Sequence, residues 1–531
     1  MSHFLYALLF SALLLLPAQR YLFVCQLESY KPLAFGKWTV THLTSHSMQY
    51  YAFLLLFCIQ VASNAWFPDA AGWIGIIAAA LLMGILYMRF RMTPQKKPFK
   101  YTPRLWRLFA AQWAVQLIVL LVLAWLERFG YSRFLGLAQM VALPVLPLWT
   151  YVASAVMTPV ERYFQRGFIN EARLKLQQHP EMRKIGVTGS YGKTSTKFIM
   201  QTLLAEAFTV IATPQSYNTT MGVVRAIREN IKGNEQIFIA EMGARQAGDI
   251  AEICSIVHPE YAVLTAVDKQ HLETFGSVEN VARAKYELVE GLTRKGVAFF
   301  SDTDNCRELY QKATENGVEA YLYGFGDDPE LYVAAQDIAV SATGSSFIVR
   351  GPDESIRCQT QLLGSHNIMN ILGGIAVARH MGVSWNAIAR GVSAIQPVEH
   401  RLQLVPSDAG LTVIDDAFNA NPAGVAAAME VVKAFPGRKI VVTPGLVELG
   451  EEQDAQNEQF GRLLAEVADV VLLIGHKQTR PIVRGLLKMD FPRAHMHVLN
   501  NLKEATALLP TVTRAGDVVL FENDLPDNYE E

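Results

Sequence analysis

The run Thr188-Gly189-Ser190-Tyr191-Gly192-Lys193-Thr194-Ser195-Thr196 holds the residue types that grip a phosphate chain. It follows a β-rich run and opens a helical one. Small residues let backbone N–H groups approach phosphate oxygens, and a helix N-terminus favours the anion. Lys193 supplies a point charge for the β/γ-phosphates, and Thr194 a hydroxyl for Mg²⁺. The spacing is not the full G-x-x-x-x-G-K-(S/T), because Val187 stands where the first glycine would be. A bare G-x-x-G-K-T is common by chance. Its place between a strand and a helix makes Gly189, Ser190, Tyr191, Gly192, Lys193, Thr194 and Ser195 a candidate nucleotide-phosphate site.

The same run resembles the TGxxGKT(S/T)T loop of the Mur ligases, the ATP-dependent ligases of peptidoglycan stem-peptide synthesis. Further segments match in the same order. Ser216-Tyr217-Asn218-Thr219-Thr220-Met221-Gly222-Val223 is similar to the family's Asn-rich substrate loop. Glu241-Met242-Gly243-Ala244 and Gly248-Asp249-Ile250 resemble the E-M-G…G-(D/E)-I stretch of the D-alanyl-D-alanine-adding branch. His271-Leu272-Glu273-Thr274-Phe275-Gly276-Ser277 and Ala284-Lys285-Tyr286-Glu287 resemble HLxxFGS…AKxE. Gly364-Ser365-His366-Asn367-Ile368-Met369-Asn370 resembles GxHNxxN. Asp415-Asp416-Ala417-Phe418-Asn419-Ala420-Asn421-Pro422 resembles DDxYNANP, and Glu448-Leu449-Gly450 the ELG after it. The resemblance covers about residues 183–525.

It implies an amide ligase that turns a carboxylate into an acyl phosphate, which an amine then attacks. Neutralising the transferring phosphoryl group is mainly electrostatic work. Thr194 and Glu241 would hold one Mg²⁺, and Glu241, His271 and Lys285 a second. A lysine cation cannot ligate a metal, but the family's matching lysine is carbamylated by CO₂. The catalytic set implied is Lys193, Glu241, His271 and Lys285. His366, Asn367 and Asn370 would sit at the nucleotide, Arg401 would reach its phosphates, and Asp415 would contact ribose or order the hinge. Asn218, Thr219, Thr220, Asn419 and Asn421 would touch substrate. Taken singly, these residues have ordinary readings: Glu241 a solvated carboxylate, His271 a satisfied histidine, Lys285 a surface lysine, and Asp415 with Asp416 a helix cap. The ordered recurrence carries the functional reading.

Parallel sheets covered by helices would position these groups, because short β-rich runs alternate with helical stretches after residue 182. The expected strands are Lys184–Thr188, Thr209–Ala212, Gln236–Glu241, Tyr261–Ala266 and Val297–Ser301. A second set is Leu411–Ile414, Lys439–Thr443, Val470–Ile474, His495–Leu499 and Val518–Phe521. This gives a central P-loop domain over 183–400 and a Rossmann-like C-terminal α/β domain over 401–531, after a helical linker over 161–182.

Residues 1–160 read differently. Met1–Gln19, Met48–Pro68, Ala70–Met88, Leu108–Leu126 and Phe134–Val160 carry no charge, which makes about five membrane spans. Pro144 and Pro147 should kink the last one. This region holds 12 Lys/Arg against 3 Asp/Glu, whereas the rest holds 35 against 46. The basic loop Arg89–Arg107 should face the cytoplasm, with the N-terminus outside and the catalytic domains inside. The expected setting is a bacterial cytoplasmic membrane, multi-pass, with a membrane partner protein in reach. The acidic remainder gives no support to nucleic-acid binding. The cysteines Cys25, Cys58, Cys254, Cys306 and Cys358 show no metal or disulfide spacing.

The pattern departs from the family in three places. A membrane domain stands where the family holds the UDP-sugar end of its substrate. Phe418 replaces the DDxYNANP tyrosine, and Asn457 stands where the D-alanyl-D-alanine-adding branch commonly has His. The Lys-Gly-Ser-Arg turn near that branch's end is replaced by the acidic run Phe521-Glu522-Asn523-Asp524. The implied partners are therefore left broad: a carboxylate acceptor and an amino acid or dipeptide donor. Two rival functions are a poly-γ-glutamate-synthase-like ligase and an ATP-driven transport component.

Overall fold

The computed structural model describes residues 3–28, 30–42, 47–67, 69–93, 99–126, 142–268, 272–341, 343–407, 410–417, 420–447 and 449–523. The chain divides into two compact units, residues 1–166 and 167–525.

The first unit is helical. Its helices His3–Leu27, Ser47–Trp66, Ala71–Met92 and Pro103–Leu126 are each long and apolar enough to cross a membrane. A 24-residue helix is roughly 36 Å long, against a hydrocarbon layer of about 30 Å. Leu54, Val61, Ile77, Leu81, Ile85, Ile118 and Val122 point outward while Leu14, Met83, Leu108 and Leu120 are buried. Apolar residues on both faces suit a helix with lipid on one side.

Four such spans, rather than five, occur among the described residues. The expected fifth lies partly outside them, over 134–141. Its remainder belongs to the helix Leu146–Gln177, which runs on through the expected linker as one element. Pro147 sits in the first turn of that helix, where its missing N–H is no loss, and Pro144 precedes it. A short helix, Pro32–Thr41, was not foreseen. The expected outer turn over 127–133 lies outside the described residues.

The second unit contains two sheets. The larger is built from β1 (Arg183–Thr188), β2 (Val210–Ala212), β3 (Ile237–Glu241), β4 (Tyr261–Leu264), β5 (Val297–Ser301), β6 (Glu319–Phe325), β7 (Leu331–Ser341), β8 (Gly344–Arg350) and β9 (Ser355–Thr360). Their order is β2-β3-β1-β4-β5-β6-β7-β8-β9. β1 lies parallel between β3 and β4, with Val187 opposite both Glu241 and Val263. Apolar cores fill both faces, as continuous β-branched runs in a parallel sheet require.

The smaller sheet comprises β10 (Gln403–Val405), β11 (Thr412–Asp416), β12 (Lys439–Thr443), β13 (Val470–Ile474), β14 (Met496–Leu499) and β15 (Val518–Glu522), in the order β10-β11-β15-β12-β13-β14.

The expectation of purely parallel sheets is corrected at the edges. β8 runs antiparallel to both β7 and β9, and β10 runs antiparallel to β11. The strands β6 to β9 were absent from the sequence reading. Burial alternates along β8, β9 and the second half of β7, so these stretches lack the apolar run that marks a central strand.

Candidate active site

The carboxyl ends of β1, β3 and β4 form the crevice where ligands bind in open α/β sheets. The loop Gly189–Gly192 connects β1 to the helix Lys193–Ala205. Two of its glycines are required. A Cβ on Gly189 (φ +154°) would come within 3.0 Å of the Ala266 backbone nitrogen, and one on Gly192 (φ +79°) within 2.4 Å of Asn370 Oδ1. Thr265, just after β4, locks the loop by donating to the carbonyls of Thr188 (3.3 Å) and Tyr191. Ser190 is committed inward: its Oγ donates to the Asp268 carbonyl at 3.0 Å and accepts from the Asp268 N–H at 2.9 Å. Its backbone N–H is taken as well, donating to the Ala266 carbonyl at 2.7 Å, so Ser190 shapes the loop and leaves phosphate contact to its neighbours. Tyr191 lies alongside, its hydroxyl pushed up to about 12 by burial. Ser195 is buried in the first turn of the helix.

Lys193 curls over the loop and donates to the carbonyls of Gly189 (2.6 Å) and Ser190 (3.0 Å). Burial pushes its ammonium down to about 8; Glu241 opposes this and Arg401 adds to it. A phosphate chain nearby would hold it protonated.

Glu241, the last residue of β3, is the hub. Its Oε1 accepts from Thr194 Oγ1 at 3.1 Å and Asn218 Nδ2 at 2.9 Å, and its Oε2 pairs with Lys197 Nζ at 3.1 Å. Lys197 was missed from the sequence. It lies four residues after Lys193, hence on the same helix face, and that spacing was the available signal. It is fully buried and also donates to the Gln215 carbonyl.

Thr194 and Glu241 offer adjacent hard oxygen donors, the chemistry that Mg²⁺ accepts. The second expected metal set is not assembled among the described residues: His271 lies outside them, and no cluster of three His, Cys, Asp or Glu occurs within them. Lys285, on the helix Val278–Glu290, is 2% exposed. Among the described residues no carboxylate lies within ion-pair distance of it. Its ammonium is held well below the usual lysine range by burial and then by the charge of Lys193. Glu287, of the same Ala284–Glu287 block, caps another helix, accepting from the N–H groups of Gly248 (2.6 Å) and Ala251 (3.0 Å).

Asn370 Oδ1 accepts from Thr196 Oγ1 at 3.2 Å, and Asn367 Nδ2 donates to the Leu363 carbonyl at 2.9 Å. His366 Nδ1 is buried without a hydrogen bond. Burial and then the Arg401 charge push this imidazole down to about 4, so it is neutral. Arg401 is close enough to act on Lys193, Glu241, His366 and Asp416. It therefore brings the smaller sheet to the phosphate loop.

Other expected residues are occupied in folding. Asp415 pairs with His400 Nδ1 at 2.7 Å and accepts from the Ala417 N–H. Thr219 and Asn421 are N-caps, accepting from Gly222 N–H at 3.2 Å and Gly424 N–H at 2.9 Å. Thr220 Oγ1 donates to Glu252 Oε2 at 2.5 Å. Asn457, at the position where the related branch commonly has His, ties Leu446 through N–H and carbonyl, both at 2.8 Å. Phe418, Asn419, Glu448 and the run from Asp524 lie outside the described residues.

The Mur ligase middle domain matches residues 187–378, and the Mur ligase glutamate ligase domain matches residues 400–522. UDP-N-acetylmuramoyl-tripeptide–D-alanyl-D-alanine ligase of Bacillus subtilis is 29% identical over 352 residues, which span 66% of this chain and 74% of that protein. The enzyme of the same name from Mycobacterium tuberculosis is 32% identical over 364 residues, 64% of this chain and 69% of that protein. The crystal structure of MurF ligase from Thermotoga maritima in complex with ADP aligns with a TM-score of 0.61 at 26% identity, covering 68% of this chain and 81% of that one. A phosphate loop, a buried glutamate beside it and two α/β sheets joined at Arg401 are thus accompanied by matches through both sheets. The chain belongs to the Mur ligase family, and it is an ATP-dependent ligase of C–N bonds.

Proposed function

We propose that this protein is a membrane-anchored amide ligase of peptidoglycan-precursor metabolism. In this reading residues 1–160 anchor it, residues 183–400 hold ATP, and residues 401–531 present the amine donor. The names of its relatives point to a peptide carboxylate as acceptor and a dipeptide such as D-alanyl-D-alanine as donor. One observation carries the reading: Lys193, Thr194, Glu241 and Arg401 converge on one loop from two sheets. Apolar helices of spanning length and the basic segments beside them support the anchor. An N-terminus outside with the catalytic sheets in the cytoplasm takes residues 134–160 as a fifth crossing, because four crossings alone would return the chain to the N-terminal side.

The acceptor carboxylate would attack the γ-phosphorus of ATP, releasing ADP and leaving an acyl phosphate. The donor amine would attack the acyl carbon and displace inorganic phosphate. Backbone N–H groups of the Gly189–Gly192 loop, other than that of Ser190, would cradle the phosphates, while Lys193 and Arg401 neutralise developing charge. Thr194 and Glu241 would hold Mg²⁺, which when bound supplies Lewis-acid polarisation of phosphate oxygens. His366 and Asn367 would border the nucleotide. Asn218 keeps Glu241 aimed. Burial favours the neutral amine of Lys285, the form that adds to CO₂ to give a carbamate and one proton. That anion would turn a buried lysine into a metal ligand.

The test is phosphate release by the full chain against acceptors and donors supplied in pairs, with product masses. Release that needs both partners, with a product heavier than the acceptor by the donor less one water, is expected. Release without any amide product would overturn the ligase reading. A fragment starting near Glu161, tested beside it, reports whether the anchor affects turnover.

A further inference from the structure

At one end of the helical unit, the end of His3–Leu27 meets the end of Ala71–Met92 and the start of Pro103–Leu126. Phe23 packs on Phe90 at 5.9 Å, Phe90 on Phe99 at 6.1 Å, and Gln26 Nε2 donates to the Lys100 carbonyl at 3.1 Å. Arg89, Arg91, Lys100, Arg104 and Arg107 gather at these helix ends. A cavity of about 290 Å³ opens there, lined by Lys31, Arg104, Arg162 and Thr158, with Leu108 and Met157 as apolar wall.

The lining is not charge-balanced. Its carboxylate, Glu161, is 8% exposed and already taken: Arg107 Nε lies 2.7 Å from Oε1 and its NH2 2.9 Å from Oε2. Arg104 Nε reaches only 3.4 Å from Oε2 and is buried without a hydrogen bond. Its guanidinium carbon lies over the Tyr30 ring, 4.2 Å from the centroid. Among the described residues neither Lys31 nor Arg162 has an ion-pair partner. Three cations therefore face one cavity whose single carboxylate is shared between Arg104 and Arg107. A buried, unsatisfied guanidinium edge is costly unless an anion accepts from it. A planar fork with two further cations matches the several oxygens of a phosphate.

The apolar wall adds the second half of the recognition. Leu108 is 3% exposed and belongs to a helix whose outer residues Ile118 and Val122 are exposed. A ligand with an anionic head and a hydrocarbon tail meets both surfaces at once. We propose that this cavity binds the phosphate or diphosphate headgroup of a lipid-linked molecule at the inner leaflet, so that the acceptor is offered on a lipid rather than on a soluble nucleotide. The inference rests on the membrane reading above and deepens it by naming the substrate class.

The experiment uses the full chain in a neutral detergent and three labelled probes: geranylgeranyl diphosphate, geranylgeraniol and inorganic pyrophosphate. Saturable binding of the prenyl diphosphate is expected, with each of the other two at least about tenfold weaker. Arg162→Gln, which removes no ion pair, should weaken that binding by about tenfold, as loss of one charge-assisted contact does. It should leave the affinity for ATP unchanged. Lys31→Gln should act in the same direction. Equal binding of inorganic pyrophosphate would make this a free-anion site, and equal binding of geranylgeraniol a bare apolar slot. Either result overturns the proposal, as does unchanged affinity when Arg162→Gln and Lys31→Gln are combined. Extraction separates the two readings. A chain freed from membranes by alkaline carbonate would remove the membrane reading. A chain that stays in them yet ignores the prenyl diphosphate would remove only this site.

Discussion

Glu241 and Glu522 are the same residue type in the same kind of place, the last residue of a strand in a largely parallel sheet. Both are essentially unexposed, at 0% and 1%. Glu241 is held by Thr194, Asn218 and Lys197. Neither oxygen of Glu522 has a hydrogen-bond partner. Its neighbour across the ladder is Asp416, on β11, and alternation along both strands puts the two carboxyl groups on one face with Leu520 and Ile414. Burial, then the charge of Asp416, holds the Glu522 carboxyl well above the usual range; burial pushes Asp416 up to about 6 against the pull of Arg401. Position at a strand end does not make an acid functional. Its partners decide whether it can serve as an anion or is kept as a neutral acid.

The comparison breaks most sharply at Glu241. Glu241→Gln should lower ATP-dependent phosphate release by ~10²–10³-fold, the scale of losing one preorganised charge at a reacting phosphoryl group. Glu522→Gln should leave it within a few-fold. Equal losses would mean that the partners around Glu241 are not what sets its role. Lys285→Ala should be nearly as severe as Glu241→Gln, with partial rescue by a small added carboxylate. Turnover unaffected by Lys285→Ala would end the carbamate reading.

Stability separates the two acids next. Lys197→Met leaves Glu241 buried without its cation, which should cost ~3–5 kcal/mol in unfolding of the full chain. A cost below ~1 kcal/mol would show that Thr194 and Asn218 suffice. The acid pair has the opposite signature. The folded state raises both carboxyl groups, so their contribution is fully present below the unfolded carboxylate range near pH 4. It is lost as pH rises through about 6 and beyond. The unfolding midpoint of the wild-type chain should therefore fall between pH 5 and pH 8, and Glu522→Gln should flatten that slope. An equal slope in the variant would place the pH dependence elsewhere.

Much of this was legible in the sequence. The phosphate loop, β1, β3, β5, β12 and β13 are continuous apolar or glycine-marked signals, and they emerge nearly where the periodicity puts them. The four long apolar helices follow from length alone. What the sequence hid has physical causes. The end of β7 with β8 and the edge strand β9 alternate between buried and exposed residues, so their pattern resembles loop. Lys197 and Thr265 have no motif of their own. Their roles come from burial against Glu241 and the loop carbonyls, and those are tertiary facts. Glu287 looks like part of the Lys285 block, yet its carboxylate closes a helix that begins 38 residues earlier, at Asp249.

The smallest effect distinguishes two asparagines that share a sequence-level role as substrate contacts. Asn218 donates to Glu241, whereas Asn421 accepts from the Gly424 N–H and caps the helix Pro422–Lys433. Asn421→Ala removes a cap and should cost about 1 kcal/mol of stability. Asn421→Asp or Asn421→Ser should restore most of that, because either side chain can accept the same N–H. If capping is its whole role, all three variants bind donor alike and KM for the amine stays constant. If Asn421 also touches the donor, KM rises in Asn421→Asp and Asn421→Ser although stability has returned. Asn218→Ala should behave otherwise, lowering kcat with little change in donor KM, because the group it orients belongs to the phosphate loop.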